Sequence, residues 1–357
     1  MIKYLGSKRA LVGFLGQVCR ISGASSALDL FTGTTRVAQE FCRQGPTSTA
    51  VDTASYAEVF AQCYVELDAD RVDTAEVADA LARLQALPDR RGYVTEVFCE
   101  RARYFHPANG VRIDAIRQGI DDLYADSWLR PVLLTSLLEA ADAVDSTVGL
   151  QMAYLKQWAP RAHRPIRLSV PALVPGTGRA VRGDAAAAVA DMAPVDLAYL
   201  DPPYNQHRYF TNYHVWETLV RWDEPGFYGV ACKRADAREP HTKSAFNSRR
   251  TMPAALAGLI ASVRADLVLV SFSNEGFVPL EWLVAACERR GNPVAVWAFD
   301  SRRHVGSQIG IHNLRGERVG SPGPLRNVEY VLASGSAEVL ADLTGLTAPE
   351  RVVPTGR

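Results

Sequence analysis

Short apolar runs that end in acidic or turn-forming residues alternate along this chain with stretches whose apolar positions recur at helical spacing. Residues 27–30 form one such run. It ends in Asp29-Leu30-Phe31-Thr32-Gly33-Thr34-Thr35, after which Val37, Ala38 and Phe41 follow helical periodicity, so the segment reads as strand, tight turn, helix. A second run, 48–51, ends at Asp52, and Ala54, Ala57, Val59 and Phe60 carry a helix that begins near Thr53. Two strand–helix units in succession predict a parallel, doubly wound sheet.

Between residues 65 and 160 the pattern changes. The segments 76–87, 93–105, 111–124 and 129–144 carry helical periodicity without strand-like alternation, which predicts an inserted helical domain. A connector follows at 160–182, where Pro165, Pro171, Pro175, Gly176 and Gly178 predict extended chain and turns. Strand–helix alternation then resumes, with strands at 195–200, 267–272 and 293–299, helices at 254–264 and 280–290, and a closing strand at 328–333. The glycine-rich, basic segment 302–324 reads as a mobile loop. The expected fold is α/β: a Rossmann-like core with a mostly parallel sheet, built from residues 1–64 and 161–335, a helical insertion at 65–160 and a peripheral tail at 336–357.

Composition changes this picture little. Of 357 residues, 48% are hydrophobic and 22% charged, enough apolar material for a large core and against a disordered chain. Lys plus Arg and Asp plus Glu are both 39, so a nucleic-acid role would depend on local basic stretches such as 161–182 and 233–250. The six cysteines show no close metal-ligand spacing, and no metal is expected; reduced thiols in a cytoplasmic protein account for them. No signal peptide or membrane-length apolar run occurs, so a soluble, intracellular protein is expected.

The sharpest chemical feature is Asp201-Pro202-Pro203-Tyr204, directly after the apolar strand 195–200. Ligands of open parallel sheets bind beyond the carboxyl ends of strands, which is where this corner falls. Its two prolines fix the backbone and remove two amide donors, leaving carbonyl oxygens that only accept hydrogen bonds. Such a corner suits an amino group, although a plain turn after a strand is the competing account. The 29–35 turn opens a helix where nucleotide-like ligands meet a helix N-terminus, and Asp52 lies about twenty residues on, where an acid binds ribose hydroxyls. Neither a dinucleotide fingerprint nor a phosphate loop is present, so an adenosyl group without phosphate fits better.

Lys3-Tyr4-Leu5-Gly6-Ser7-Lys8, Asp29 to Gly33, Asp52, Gly183-Asp184 and Asp201 to Tyr204 together resemble, in order, the α-group N6-adenine DNA methyltransferases. The resemblance spans nearly the whole chain and implies an S-adenosylmethionine-dependent methyltransferase core acting on double-stranded DNA. It implies Tyr4, Gly6, Lys8, Asp29, Phe31, Thr32, Gly33, Asp52, Asp184 and Asp201 as cofactor contacts, with Lys8 pairing with the donor carboxylate. Lys8 could equally be a solvated surface lysine, Asp184 a helix N-cap and Phe31 a core residue. The catalytic set would be Asp201, Pro202, Pro203 and Tyr204. Acceptors from Asp201 and the Pro202 carbonyl would draw on the N–H bonds of a delocalised amine, and Tyr204 would stack on a base taken out of the duplex. One departure concerns the turn: Thr34-Thr35 stands where the family often has a second glycine, which bears on the loop backbone.

DNA contacts are expected from Arg208, Tyr213, Lys233, Arg234, Lys243, Asn247, Arg249 and Arg250, which combine cationic and hydrogen-bonding groups near the corner. For Tyr213, packing of a helix start is an equal account, and the 233–250 stretch could be an ordinary solvated loop. The helical insertion is the second DNA-binding candidate. A cognate restriction endonuclease is a partner the resemblance allows; oligomeric state is not readable. Two alternatives stay open: a methyltransferase acting on RNA adenine or a protein amide, and a DNA-binding relative without catalysis. Protein glutamine methyltransferases usually carry Asn at the Asp201 position, which weighs against the protein version.

Overall fold

The computed structural model describes residues 2–6, 8–302, 311–312, 318–320, 326–346 and 350–352. They divide into two units, described separately: a sheet unit of residues 8–53, 181–207 and 244–357, and a helical unit of residues 1–7, 54–180 and 208–243.

In the sheet unit, strands numbered in chain order form one eight-stranded sheet. They are β1 (Ser26–Leu30), β2 (Thr47–Asp52), β3 (Gly178–Arg182, at the unit boundary), β4 (Val195–Leu200), β7 (Ala265–Ser273), β8 (Val294–Arg302), β11 (Arg326–Ser334) and β12 (Glu350–Val352). The order is β12-β8-β11-β7-β4-β1-β2-β3. β2, β1, β4 and β7 run parallel, whereas β11 lies antiparallel between β7 and β8. The sheet is therefore mostly parallel, as expected, but the 328–333 run enters its interior and does not close it.

Alternation along each strand sends side chains to opposite faces. Leu28, Leu30, Ala198, Leu200, Val268 and Val270 face one layer with the helices Ala185–Asp191, Met252–Ser262 and Leu280–Glu288. Ala27, Leu197, Tyr199, Leu267, Leu269 and Trp297 face the other, with Val12–Ser22 and Arg36–Gln44. The tail after Gly335, read as peripheral, contributes Leu340 and Leu343 to this second layer and β12 to the edge. The connector 160–182 likewise ends in an edge strand, β3. Most of the 302–324 segment read as a loop lies outside the described residues; Ile311–His312 (β9) and Arg318–Gly320 (β10) pair antiparallel.

The helical unit packs Ser55–Ala61, Thr74–Gln85, the π-helical Val94–Arg101, Pro107–Tyr124, Arg130–Val144 and His214–Arg221 around one core, with a short ladder of Phe227–Tyr228 (β5) on Lys233–Arg234 (β6). Asp73 caps the Thr74–Gln85 helix through Ala75 N and Glu76 N, and Pro107 opens the next long helix after His106. The division differs from the expected one: residues 1–7, 54–64, 161–180 and 208–243 join this unit. An aromatic column explains part of the difference. Tyr4 stacks on Tyr213 at 4.6 Å, Tyr213 on Trp216 at 4.6 Å, and Tyr56 and Phe60 meet the Trp216 ring edge-on. Among the described residues no helix is long and apolar enough to cross a membrane.

Candidate active site

Strand register sets the site. Leu30 of β1 pairs with Val51 of β2 and with Leu200 of β4, so Phe31, Asp52 and Asp201 each follow at the same level beyond the sheet. The chain builds β2 on one side of β1 and β4 on the other, so the winding reverses between β1 and β4. Such a reversal opens a crevice at the carboxyl ends of an α/β sheet. The 31–35 turn and the Asp201–Tyr204 corner both start at that crevice, and Asp201 N donates to Leu30 O at 3.4 Å.

The turn is held from below by Asp29, which is 1% exposed. Its Oδ2 accepts from Thr32 Oγ1 at 2.7 Å and from Ala38 N at 3.0 Å, capping the Arg36–Gln44 helix that Thr35 leaves uncapped. Burial pushes the Asp29 carboxyl up to about 7, helped by the nearby Asp201 and Asp52 charges and opposed by those two hydrogen bonds. Gly33 N donates to Asp52 Oδ2 at 3.0 Å, and Asp52 O accepts from Gly183 N at 2.9 Å, so the second acid is tied to the turn. Phe31, Gly33 and Thr35 all have left-handed backbones, with φ of 66°, 53° and 59°. Thr35 thus keeps the conformation that glycine favours; its hydroxyl donates to Thr34 O and accepts from Gln39 Nε2. Phe31 meets Phe246 edge-on at 5.0 Å.

At the corner, Lys8 Nζ lies 2.9 Å from Asp201 Oδ1 and also pairs with Glu329 Oε1 of β11. Lys8 is 6% exposed, so it is no solvated surface lysine, and Asp201 and Glu329 are its partners. Burial pushes Asp201 up to about 6, with Lys8 pulling down and Glu329 pushing up. Tyr204 is half-buried, its ring 5.7 Å from Phe272, and its carbonyl accepts from Phe277 N at 3.0 Å. At the corner Pro202 is buried and Asp201 and Tyr204 are partly open.

The other expected site residues have contacts of their own. Asp184 is exposed and caps the Ala185–Asp191 helix through Ala186 N and Ala187 N, the capping alternative. Tyr4 and Gly6 belong to the helical unit, where a Cβ on Gly6 would stand 2.9 Å from Tyr209 Oη. Among expected DNA contacts, Tyr213 and Arg234 need correction. Tyr213 is fully buried in the aromatic column and its hydroxyl accepts from Leu5 N. Arg234 is 1% exposed and forms paired contacts at 2.7 Å with Asp223 and Asp236. Asn247 also differs: its Nδ2 donates to Asn205 O and His207 O at 2.9 Å, bracing the loop after the corner. Arg208 and Lys243 are exposed and Lys233 half-buried on the helical unit; Arg249 and Arg250 are exposed on the sheet unit. Sequence reasoning missed Glu329, whose one signal was a charged residue inside the otherwise apolar run 328–333.

The family model described as D12 class N6 adenine-specific DNA methyltransferase matches residues 4–282. Type II methyltransferase M.NlaIII of Neisseria lactamica is 28% identical over 306 residues, 81% of this chain and 89% of that protein. Modification methylase LlaI of Lactococcus lactis subsp. lactis is 28% identical over 81% of this chain, which spans 49% of that longer protein. Among solved structures, magnesium protoporphyrin IX methyltransferase from Synechocystis PCC 6803 with bound SAM aligns over 92% of this chain and 77% of that one, at 8% identity and a TM-score of 0.31.

Proposed function

Starting from the fact that this chain belongs to the D12 class N6 adenine-specific DNA methyltransferase family, we propose that the Asp201–Tyr204 corner holds the adenine and the 31–35 turn with Asp52 holds the donor. The reaction is transfer of a methyl group from S-adenosylmethionine to adenine N6 in DNA. When bound, the donor supplies an electrophilic methyl group on a sulfonium. The residues fit such a cation: the Asp201 and Asp52 carboxylates both act electrostatically on the buried Asp29. Asp52, tied to the turn through Gly33 N, suits a ribose diol, and Phe31 offers an apolar wall.

The single observation that carries this reading is the register that brings Asp201 and Phe31 to one level at the winding reversal. There Asp201 Oδ2 and the Pro202 carbonyl accept from the two N–H bonds of the amine, drawing its lone pair out of the ring. Tyr204, kept neutral by burial that raises its phenol, gives the base a face to stack on. Alignment and electrostatic stabilisation of charge on N6 are the main tasks, since a sulfonium leaves without acid assistance. Bringing the base here requires its extrusion from double-stranded DNA. Arg249 and Arg250, exposed on the sheet unit, are the phosphate contacts we favour there, with Arg208, Lys233 and Lys243 on the helical unit.

The relatives named Type II methyltransferase M.NlaIII and Modification methylase LlaI support a modification role, which we extend to the cytoplasm and to a cognate restriction endonuclease as partner. Labelled donor incubated with duplex DNA, RNA or protein extract tests the reading. Label should enter duplex DNA as N6-methyladenine; label entering only RNA or protein would overturn it.

A further inference from the structure

Glu329 lies on the antiparallel strand β11, opposite Ser273 of β7, and is remote in sequence from the Lys8, Asp29–Gly33, Asp52 and Asp201–Tyr204 motifs. It and Asp201 share the Lys8 ammonium, at 16%, 17% and 6% side-chain exposure. Two carboxylates around one buried cation leave one surplus negative charge. We propose that Glu329 is a positioning residue for methyl transfer: it clamps Lys8 against Asp201 Oδ1, fixes that carboxylate, and leaves the trio with net negative charge facing the target amine.

The proposal rests on the reading of the corner as the adenine site. As the bond from N6 to the methyl carbon forms, the carbon–sulfur bond breaks with its electron pair passing to sulfur. The nitrogen is then positive until one of its protons leaves to solvent. A neutral Lys8–Asp201 pair would oppose that charge weakly; the surplus from Glu329 strengthens the attraction in a poorly screened site. The other ionisable groups around Asp201 are Tyr199 of β4, Tyr204 and the buried Asp29 of β1. Burial holds both phenols neutral and, by raising Asp29 to about 7, leaves it mostly protonated where Asp201 titrates near 6, so Lys8 and Glu329 set the balance.

The test compares wild type, Glu329→Gln and Glu329→Asp as full chains, with folding checked by circular dichroism and donor binding by calorimetry. Each is assayed for kcat on duplex DNA across pH. Wild type should lose activity as pH falls through about 6, where Asp201 protonates. Glu329→Gln should fold, lose kcat about tenfold, and move the acid limb down by about half a unit or more, because the charge opposing Asp201 ionisation is gone. Glu329→Asp should recover part of both. An unchanged kcat would overturn the proposal, and so would a lower kcat with an unmoved limb, which a merely structural role would give. A wild type that methylates no DNA would overturn the functional reading itself, a result distinguishable from the variant's failure.

Discussion

Lys8 Nζ sits 2.9 Å from Asp201 Oδ1 with Lys8 almost wholly buried, so a residue near the N-terminus is built into the corner that follows β4. Removing the cation should therefore cost stability as well as rate. Lys8→Met leaves Asp201 and Glu329 facing each other without a counter-charge, a loss of about 3–5 kcal/mol by the usual cost of breaking a buried pair. The loss should be largest at alkaline pH and shrink as pH falls through about 6, where Asp201 takes up a proton. Thermal melts across pH would check it; a melting temperature equal to wild type at pH 8 would contradict it.

Donor affinity should depend on pH through Asp29. Its carboxyl is raised to about 7, so it is partly protonated near neutrality, and a cationic donor favours the ionised form. Affinity is then expected to rise as pH climbs through about 7 and to level above it. Asp29→Asn should bind the donor more weakly and shift the remaining dependence down toward the range where Asp201 titrates. Calorimetry on either side of neutrality measures this, and an affinity flat with pH in wild type would count against the electrostatic account.

Two arginine changes should separate structure from DNA binding. Arg234→Ala removes the buried partner of Asp223 and Asp236, which keep only the exposed Arg221, and should lower the stability of the helical unit by about 3 kcal/mol. Arg249→Ala with Arg250→Ala should leave the melting temperature nearly unchanged while weakening DNA binding. It should also reduce the salt slope by about one for each phosphate that is no longer neutralised. Melts and salt titrations of both variants check the contrast; a normal melt for Arg234→Ala would contradict the buried reading.

Much of this was legible in the sequence because local signals agreed. The runs 27–30, 48–51 and 195–200 each end in an acid or a turn, and parallel register then brings Phe31, Asp52 and Asp201 to one level. What composition could not show was burial. Tyr213 and Arg234 have the residue types of DNA readers, yet the first is stacked between Tyr4 and Trp216 and the second is neutralised by two aspartates. Nor does an apolar run reveal its neighbours, so the entry of β11 between β7 and β8, which brings Glu329 to Lys8, had no local signature. Thr35 shows the same limit at the backbone: a β-branched residue gives no hint of a left-handed φ, which here is held by contacts with Thr34 and Gln39.

The corner itself is tested most directly by Asp201→Ala and Tyr204→Ala, assayed in parallel for donor binding by calorimetry and for methyl transfer to duplex DNA. Both variants should retain measurable donor binding while turnover falls by about a hundredfold or more, as expected when groups acting on the reacting atoms are removed. Near-normal turnover in either variant would show that the adenine amine is held somewhere else.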